Sequence, residues 1–385
     1  MNNKKTIFFF VNSYVGKRGS IGLRAEKIIN YLSRDKYNVF CISKTFKKND
    51  IETIFSNLLF FTFFIKVIKF FRNLSKSSFT HRILDSKIYD ILSIIYLKII
   101  YRNVQIDVAH IWDYCPNLIK FLKKKGAFTI LDVSIAPAAY AENLFYKFNL
   151  SYFKQSKTLK KLQLKSYLLA DLIFVPSNFV ANEINMLGVK KSKIIVIPFG
   201  VDLSKSKKSL RRYEKKSSYK YCYFGLLNNR KGISELLDIW NDPIFNNDSL
   251  HLCGKLLPEI SYKIKNLSCK NIYTYGFVNP NDYMYKFDFF LFPSWMEGSS
   301  KAIYEAMSYG LPCIVTESSG SIIEHNLSGF IVETGNFKEF KNYMILLKNN
   351  NLIAKKIGKN ALKRISHFSW SKYSHDAEYN YEKFS

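Results

Sequence analysis

The run Phe289-Phe290-Leu291-Phe292-Pro293-Ser294-Trp295-Met296-Glu297-Gly298-Ser299-Ser300-Lys301-Ala302-Ile303-Tyr304-Glu305-Ala306-Met307-Ser308-Tyr309-Gly310-Leu311-Pro312 decides how this chain is read. Its first four residues are apolar without a break, which suits a strand buried on both faces. Ser299 or Ser300 suits a helix N-cap, and Ala302–Met307 favours helix. Gly310 suits the position just past the last turn, and Pro312 stops any continuation. The segment is predicted as strand, small-residue turn, short helix. Backbone N–H groups at Gly298, Ser299, Ser300 and Lys301 would then form an anion site suited to a diphosphate. Glu297 lies before the helix and Glu305 on it. One carboxylate can hold hydroxyls on one side of the phosphates and the other hydroxyls on the opposite side, the layout of a nucleoside diphosphate sugar. The plainer alternative is a surface helix with two unrelated glutamates.

Outward from this segment the chain alternates short apolar strands with helical stretches. Thr6–Val11, Tyr37–Ile42, Val108–Ile111, Phe128–Val133, Leu172–Val175 and Ile194–Ile197 form one series. Tyr221–Phe224, Leu250–Cys253, Asn271–Tyr275, Phe289–Phe292 and Cys313–Thr316 form a second. Helical stretches such as Ala25–Leu32 and Ser166–Ala170 lie between the strands, so both series predict parallel sheets. A basic, polar stretch over Ser204–Ser218 reads as a linker or surface excursion between them. In open parallel sheets ligands sit beyond the carboxyl ends of the strands, which makes a cleft between the two domains the expected site.

The length, 385 residues, suits two or three domains. Apolar residues make up 48% and charged residues 23%, which excludes disorder for most of the chain. Ten Arg and 48 Lys against 30 acids give a net charge of +28, so anionic surfaces or substrates are attracted. Six scattered cysteines without a C-x-x-C pair suit a reducing cytoplasm rather than a disulfide framework or a zinc site. The apolar run Ile7–Val11 is too short for a signal-peptide core and reads as the first strand. No uninterrupted apolar run reaches the roughly 18 residues of a membrane span. Ile54–Phe71 comes nearest. Thr62, Lys66, Lys69 and Asn73 make one narrow polar stripe on an otherwise Phe/Ile/Leu/Val helix, and Lys47, Lys48, Arg72 and Lys76 flank it. A second apolar stretch, Ile88–Ile100, follows. This region is expected to lie in an anionic membrane surface; the alternative is a pair of ordinary core helices.

Glu297-x7-Glu305, preceded by Pro293-Ser294 and followed by Glu305-Ala306-Met307-x-x-Gly310-x-Pro312, resembles the donor-binding motif of the retaining GT-B glycosyltransferases of family 4. The resemblance covers most of the chain. Ala170–Val180, Gly188-Val189, Ile197–Asp202, Gly276 and Phe368-Ser369-Trp370 all resemble family segments, in the family's order. It implies an α/β fold of GT-B type, with two doubly wound Rossmann-like domains facing across a cleft. The expected domains are 1–203 on the acceptor side, with membrane-facing helices over 54–102, then 204–365 for the nucleotide sugar. A C-terminal helix, 366–385, would cross back to the first domain. Gly225-Leu226-Leu227-Asn228-Asn229-Arg230-Lys231-Gly232 resembles the family's phosphate-binding turn. Lys231 falls on the lysine that neutralises the donor diphosphate. Leu226 stands where the family has arginine, and Arg230 is the candidate substitute, unless it is a solvated arginine. Glu297, Lys231 and Arg230 are thus the implied catalytic set, with Glu305 and Gly298–Lys301 on the donor. Gly320, and more weakly Glu324, fall in a further family loop.

In the first domain the resemblance implies a glycine loop touching donor and acceptor, here Gly19, Gly22 and Arg24. Many family members carry a histidine after the strand represented by Phe128–Val133; Ser134 stands there, beside Asp132, and His110 ends a neighbouring strand at a family position. A helix-start ion pair for Arg24 and structural roles for Asp132 and His110 are the alternatives. No D-x-D string occurs, which suits metal-independent transfer with no cofactor. The expected chemistry is front-side attack within the donor complex, the leaving diphosphate being stabilised by cations and a helix N-terminus.

The function expected is transfer of a sugar from a nucleotide-sugar donor to a lipid-linked or glycan acceptor in cell-surface polysaccharide synthesis, at the inner face of the cytoplasmic membrane. The competing readings are a soluble transferase acting on a storage glucan or small acceptor, and a non-catalytic basic scaffold or nucleic-acid-binding protein. Nucleic acid is disfavoured because so few of the cations are arginine.

Overall fold

A computed structural model describes residues 4–15, 20–46, 78–203, 213–269 and 271–384. The expected helix Ile54–Phe71, Gly19 and most of the basic Ser204–Ser218 stretch lie outside these residues. The chain packs as two units. One comprises Met1–Tyr140, Gln155–Ile197 and Tyr373–Ser385; the other comprises Ala141–Lys154 and Pro198–Lys372.

The first unit is built on a six-stranded parallel sheet. Its strands are β1 (Lys5–Val15), β2 (Tyr37–Phe46), β3 (Val108–Ile111), β4 (Phe128–Asp132), β5 (Leu172–Val175) and β6 (Ile194–Val196), in the order β2-β1-β3-β4-β5-β6. Phe8, Phe9 and Phe10 on β1 are wholly buried, as expected for a central strand covered on both faces. β1 and β2 outrun the expected segments because the register shifts between Val11 and Tyr14 and pairing then resumes. The strand order turns around between β1 and β3, so the carboxyl ends of those strands open a crevice. The helix Ser78–Ile100 packs Tyr89, Leu92, Tyr96 and Leu97 inward and leaves Leu84, Ile91, Ile95, Ile99 and Ile100 exposed.

The second unit carries β7 (Lys220–Phe224), β8 (Ser249–Cys253), β9 (Ile272–Thr274), β10 (Phe289–Phe292), β11 (Cys313–Thr316) and β12 (Phe330–Val332), in the order β12-β11-β10-β7-β8-β9. All pairings are parallel. β12, three residues long, was not among the expected strands. Here the strand order turns around between β7 and β10. The two loops leaving that point are Gly225–Gly232 and Pro293–Ser300, the segments in which the chemistry was expected.

Candidate active site

The two loops of the second unit are locked together by backbone contacts. Asn228 caps the turn Asn229–Lys231, its side-chain oxygen accepting from the Lys231 amide at 3.1 Å. Gly232 follows at φ +70°, and a Cβ there would lie 1.9 Å from the Pro293 carbonyl oxygen. Only glycine allows both that left-handed backbone and the close approach. The Arg230 carbonyl accepts from the Trp295 amide at 3.0 Å and from Ser294 Oγ at 3.3 Å. From the next strand, the Ser318 carbonyl accepts from the Glu297 amide at 2.9 Å, and Ser318 Oγ donates to the Ser294 carbonyl at 2.7 Å. Loops after three strands therefore position Glu297.

Arg230 and Lys231 converge on that carboxylate. Arg230 Nη1 lies 2.6 Å from Glu297 Oε1 and donates to the Met296 carbonyl at 2.6 Å. Lys231 Nζ donates to the same Oε1, and Ser294 Oγ donates to it at 3.3 Å. The Lys231 and Glu297 side chains are only 12% and 13% exposed. Burial alone would push the Glu297 carboxyl up, but Lys231 and Arg230 outweigh it and hold Glu297 below the usual glutamate value. Burial, with Arg230 alongside, lowers Lys231, and Glu297 opposes that shift. The cluster carries two positive charges against one negative, leaving capacity for an incoming anion.

The helix Lys301–Ser308 begins beside this cluster. Ser300 occupies the N-cap position without a side-chain capping hydrogen bond. Ser299 Oγ instead donates to the Tyr304 hydroxyl at 3.1 Å, inside the unit. Ser300 thus holds the expected N-cap position but its hydroxyl makes no capping bond, so no serine hydroxyl competes for the first-turn amides, which by helix geometry have no intrahelical acceptor. Glu305 lies one turn along, with Lys301 Nζ 2.8 Å from its Oε1; Glu305 is 18% exposed and Lys301 46%. Gly310 ends the helix at φ +68° as expected, and Gly320 closes the turn Glu317–Ser319 at φ +61°. The Gly225 amide donates to the Cys253 carbonyl at 2.9 Å. Gly298 links Glu297 to this helix start. Glu324 pairs instead with Arg364 at 2.6 Å, in a structural bridge.

In the first unit the expected residues are brought together, but facing inward. The Arg24 guanidinium is 2% exposed and lies 2.7 Å from Asp132 Oδ1. Burial opposes its charge, and Asp132 with Tyr373 outweighs burial. His110 is fully buried, with Nδ1 2.6 Å from the Tyr381 hydroxyl, Nε2 3.6 Å from Asp132 Oδ2, and its ring stacked on Trp112 at 3.7 Å. Burial lowers its pKa, which favours the neutral ring. Arg24 and His110 both sit inside a network with Asp132 and the C-terminal helix, the structural alternative stated for each. Gly22 is buried within the helix Ser20–Tyr31. Ser134, in contrast, lines a cavity of about 140 Å³ together with Asn12, Asp85, Trp112, Asp113 and Asp132.

Residues 24–205 match the family described as Glycosyltransferase Family 4, and residues 218–350 match Glycosyl transferases group 1. Between them the two matches span most of the chain, and the second contains Lys231, Glu297 and Glu305. The fold agrees with that of Anabaena HepE, crystallised with UDP, at a TM-score of 0.69 and 17% identity, over 98% of this chain and 100% of the other. Each part of the chain thus resembles a glycosyltransferase domain, and the fold is of GT-B type. An Escherichia coli relative, UDP-Gal:alpha-D-GlcNAc-diphosphoundecaprenol alpha-1,3-galactosyltransferase, is 29% identical over 190 residues, 44% of this chain and 49% of its own length. The Staphylococcus aureus capsular polysaccharide biosynthesis glycosyltransferase CapM is 26% identical over 218 residues, 51% of this chain and 56% of its own. The chain therefore spans about half the length of the curated relatives it matches.

Three contributors to this site had no role assigned from the sequence: Asn228, Ser294 and Ser318. Asn228 three residues before Lys231 was legible as an N-cap signal. Ser294 and Ser318 were not, because their contacts join separate strands.

Proposed function

We propose that this protein transfers a sugar from a nucleoside diphosphate sugar to a glycan acceptor in cell-surface polysaccharide assembly, with retention and without a metal. The observation that carries the reading is the convergence of Arg230 and Lys231 on Glu297, beside the helix that bears Glu305. A diphosphate would compete with Glu297 for the two cations, and Glu297 would then be released toward sugar hydroxyls. As the glycosidic bond breaks, negative charge grows on the leaving phosphate. A fixed ammonium, guanidinium and helix N-terminus stabilise that charge without reorganisation. Glu305 would hold the ribose. The named activities of the Escherichia coli and Staphylococcus relatives support a polysaccharide role, the former a diphosphoundecaprenol acceptor.

A membrane-surface location fits the same reading. Among the described residues no helix is long and apolar enough to cross a membrane. On the helix Ser78–Ile100, however, Ile91, Ile95 and Ile99 fall on one exposed stripe at four-residue spacing, with Lys87, Lys98 and Arg102 also exposed. Apolar burial and attraction to anionic lipid would act there together. The deciding experiment incubates the protein with a panel of nucleotide sugars and measures nucleoside diphosphate release. Release with none of them, with or without lipid-linked acceptors, defeats the proposal.

A further inference from the structure

The cavity in the first unit has the opposite sign from the chain as a whole. It lies at the carboxyl ends of β1, β3 and β4, where that sheet's strand order turns around. Its described lining includes three carboxylates, Asp85, Asp113 and Asp132, and no lysine, arginine or histidine, in a chain of net charge +28. Asp132 is neutralised by Arg24. Among the described residues no cation pairs with Asp113. It is held by neutral donors: Asn12 Nδ2, Ser86 Oγ at 2.9 Å to each carboxylate oxygen, and the Tyr114 amide at 2.8 Å. Three neutral groups, making four contacts, thus fix its orientation.

A second observation points to a ligand. Trp112 is 4% exposed, and its indole N–H is buried without an acceptor among the described residues; the side-chain oxygen of Asn12 is likewise buried without a donor. Both residues line the cavity. Buried polar groups are rarely left unpaired, because each costs about 1–3 kcal/mol. Among the described residues no group of three His, Cys, Asp or Glu is placed to hold a metal ion. A volume of about 140 Å³ corresponds to roughly five waters and suits one sugar ring better than an extended chain.

We infer that this cavity holds the accepting sugar residue and selects one bearing hydroxyl or amino groups over one bearing a carboxylate or phosphate. Asp113 accepts hydrogen bonds from hydroxyls or from an ammonium, the Trp112 N–H donates to a ring or hydroxyl oxygen, and Asn12 accepts from a further hydroxyl. A uronic acid or sugar phosphate would place a second anion beside the fixed Asp113 charge. The class of acceptor rests on the proposed glycosyl transfer, but binding can be read without catalysis.

The test uses the full chain and octyl glycosides of N-acetylglucosamine, glucosamine and glucuronic acid. Saturation-transfer NMR and calorimetry measure binding, and nucleoside diphosphate release is followed separately. The parent should bind the neutral and amino glycosides at least tenfold more tightly than the glucuronide. Asp113→Asn should cost the amino glycoside about tenfold and narrow or reverse the discrimination against glucuronide. Ser134→Trp, which fills the cavity from its rim, should abolish binding of all three, and it supplies the readout should Asp113→Asn fail to fold. Equal or tighter glucuronide binding by the parent overturns the inference, as does binding that survives Ser134→Trp. Absence of nucleoside diphosphate release with intact glycoside binding would defeat the proposed activity and leave this pocket standing.

Discussion

Replacing Lys231 with alanine separates the two roles its position implies. In the structure Lys231 Nζ and Arg230 Nη1 share one carboxylate oxygen of Glu297. Removing one partner of a buried pair commonly costs about 3–5 kcal/mol, because the other charge is left alone. Here Arg230 remains 2.6 Å from Glu297, so the expected loss of stability is smaller, about 1–3 kcal/mol. The catalytic loss is larger. One fixed donor to a developing anion is worth about 2.7–4 kcal/mol, so turnover at saturating donor should fall roughly a hundred- to a thousandfold. The apparent donor affinity should change much less, since the charge that Lys231 meets grows during bond breaking. The assay is nucleoside diphosphate release over a range of donor concentrations, with urea denaturation of the same preparations. Turnover within twofold of the parent in folded Lys231→Ala would refute the assignment and reduce Lys231 to a structural partner of Glu297.

Glu305→Ala should weaken nucleotide-sugar binding about ten- to a hundredfold by calorimetry, the worth of a charge-assisted hydrogen bond to the ribose; unchanged affinity in the folded variant would remove Glu305 from the site. Acid should destabilise the second unit through His251, whose pKa is pushed down to about 4, chiefly by burial. The folded value lies below the unfolded one, so the unfolded chain takes up the proton first. The stability that His251 contributes is present above about pH 6.5 and is lost toward pH 4, up to roughly 3 kcal/mol. Denaturation at pH 7 and pH 5 should show this loss in the parent and a smaller one in His251→Phe; identical losses would exclude His251 as the source. The protein should sediment with anionic vesicles at low salt. An Ile91→Ser/Ile99→Ser variant that folds should bind them less, and binding unaffected by that change would move the membrane face elsewhere.

The sequence by itself determined the two strand–helix series, the strand–turn–helix segment around Glu297 and Glu305, and the lysine turn before Gly232. These are legible because periodicity, caps and breakers act over a few neighbouring residues: Val108–Ile111, Leu172–Val175, Phe289–Phe292 and Cys313–Thr316 occupy the expected positions. Tertiary structure decided which side chains meet. Arg230 and Lys231 could have pointed apart, yet both reach Glu297, 67 and 66 residues further along, because β7 and β10 are neighbours in the sheet and Gly232 allows their loops to touch. Arg24 and His110 carried the right residue types for a substrate-facing role. The sheet and the C-terminal helix instead enclosed them with Asp132, Tyr373 and Tyr381. Asp113, with Asn12 101 residues and Ser86 27 residues before it, had no sequence signature. Strand order in a parallel sheet is set by packing between elements far apart in the chain, and it alone brought those residues to one crevice.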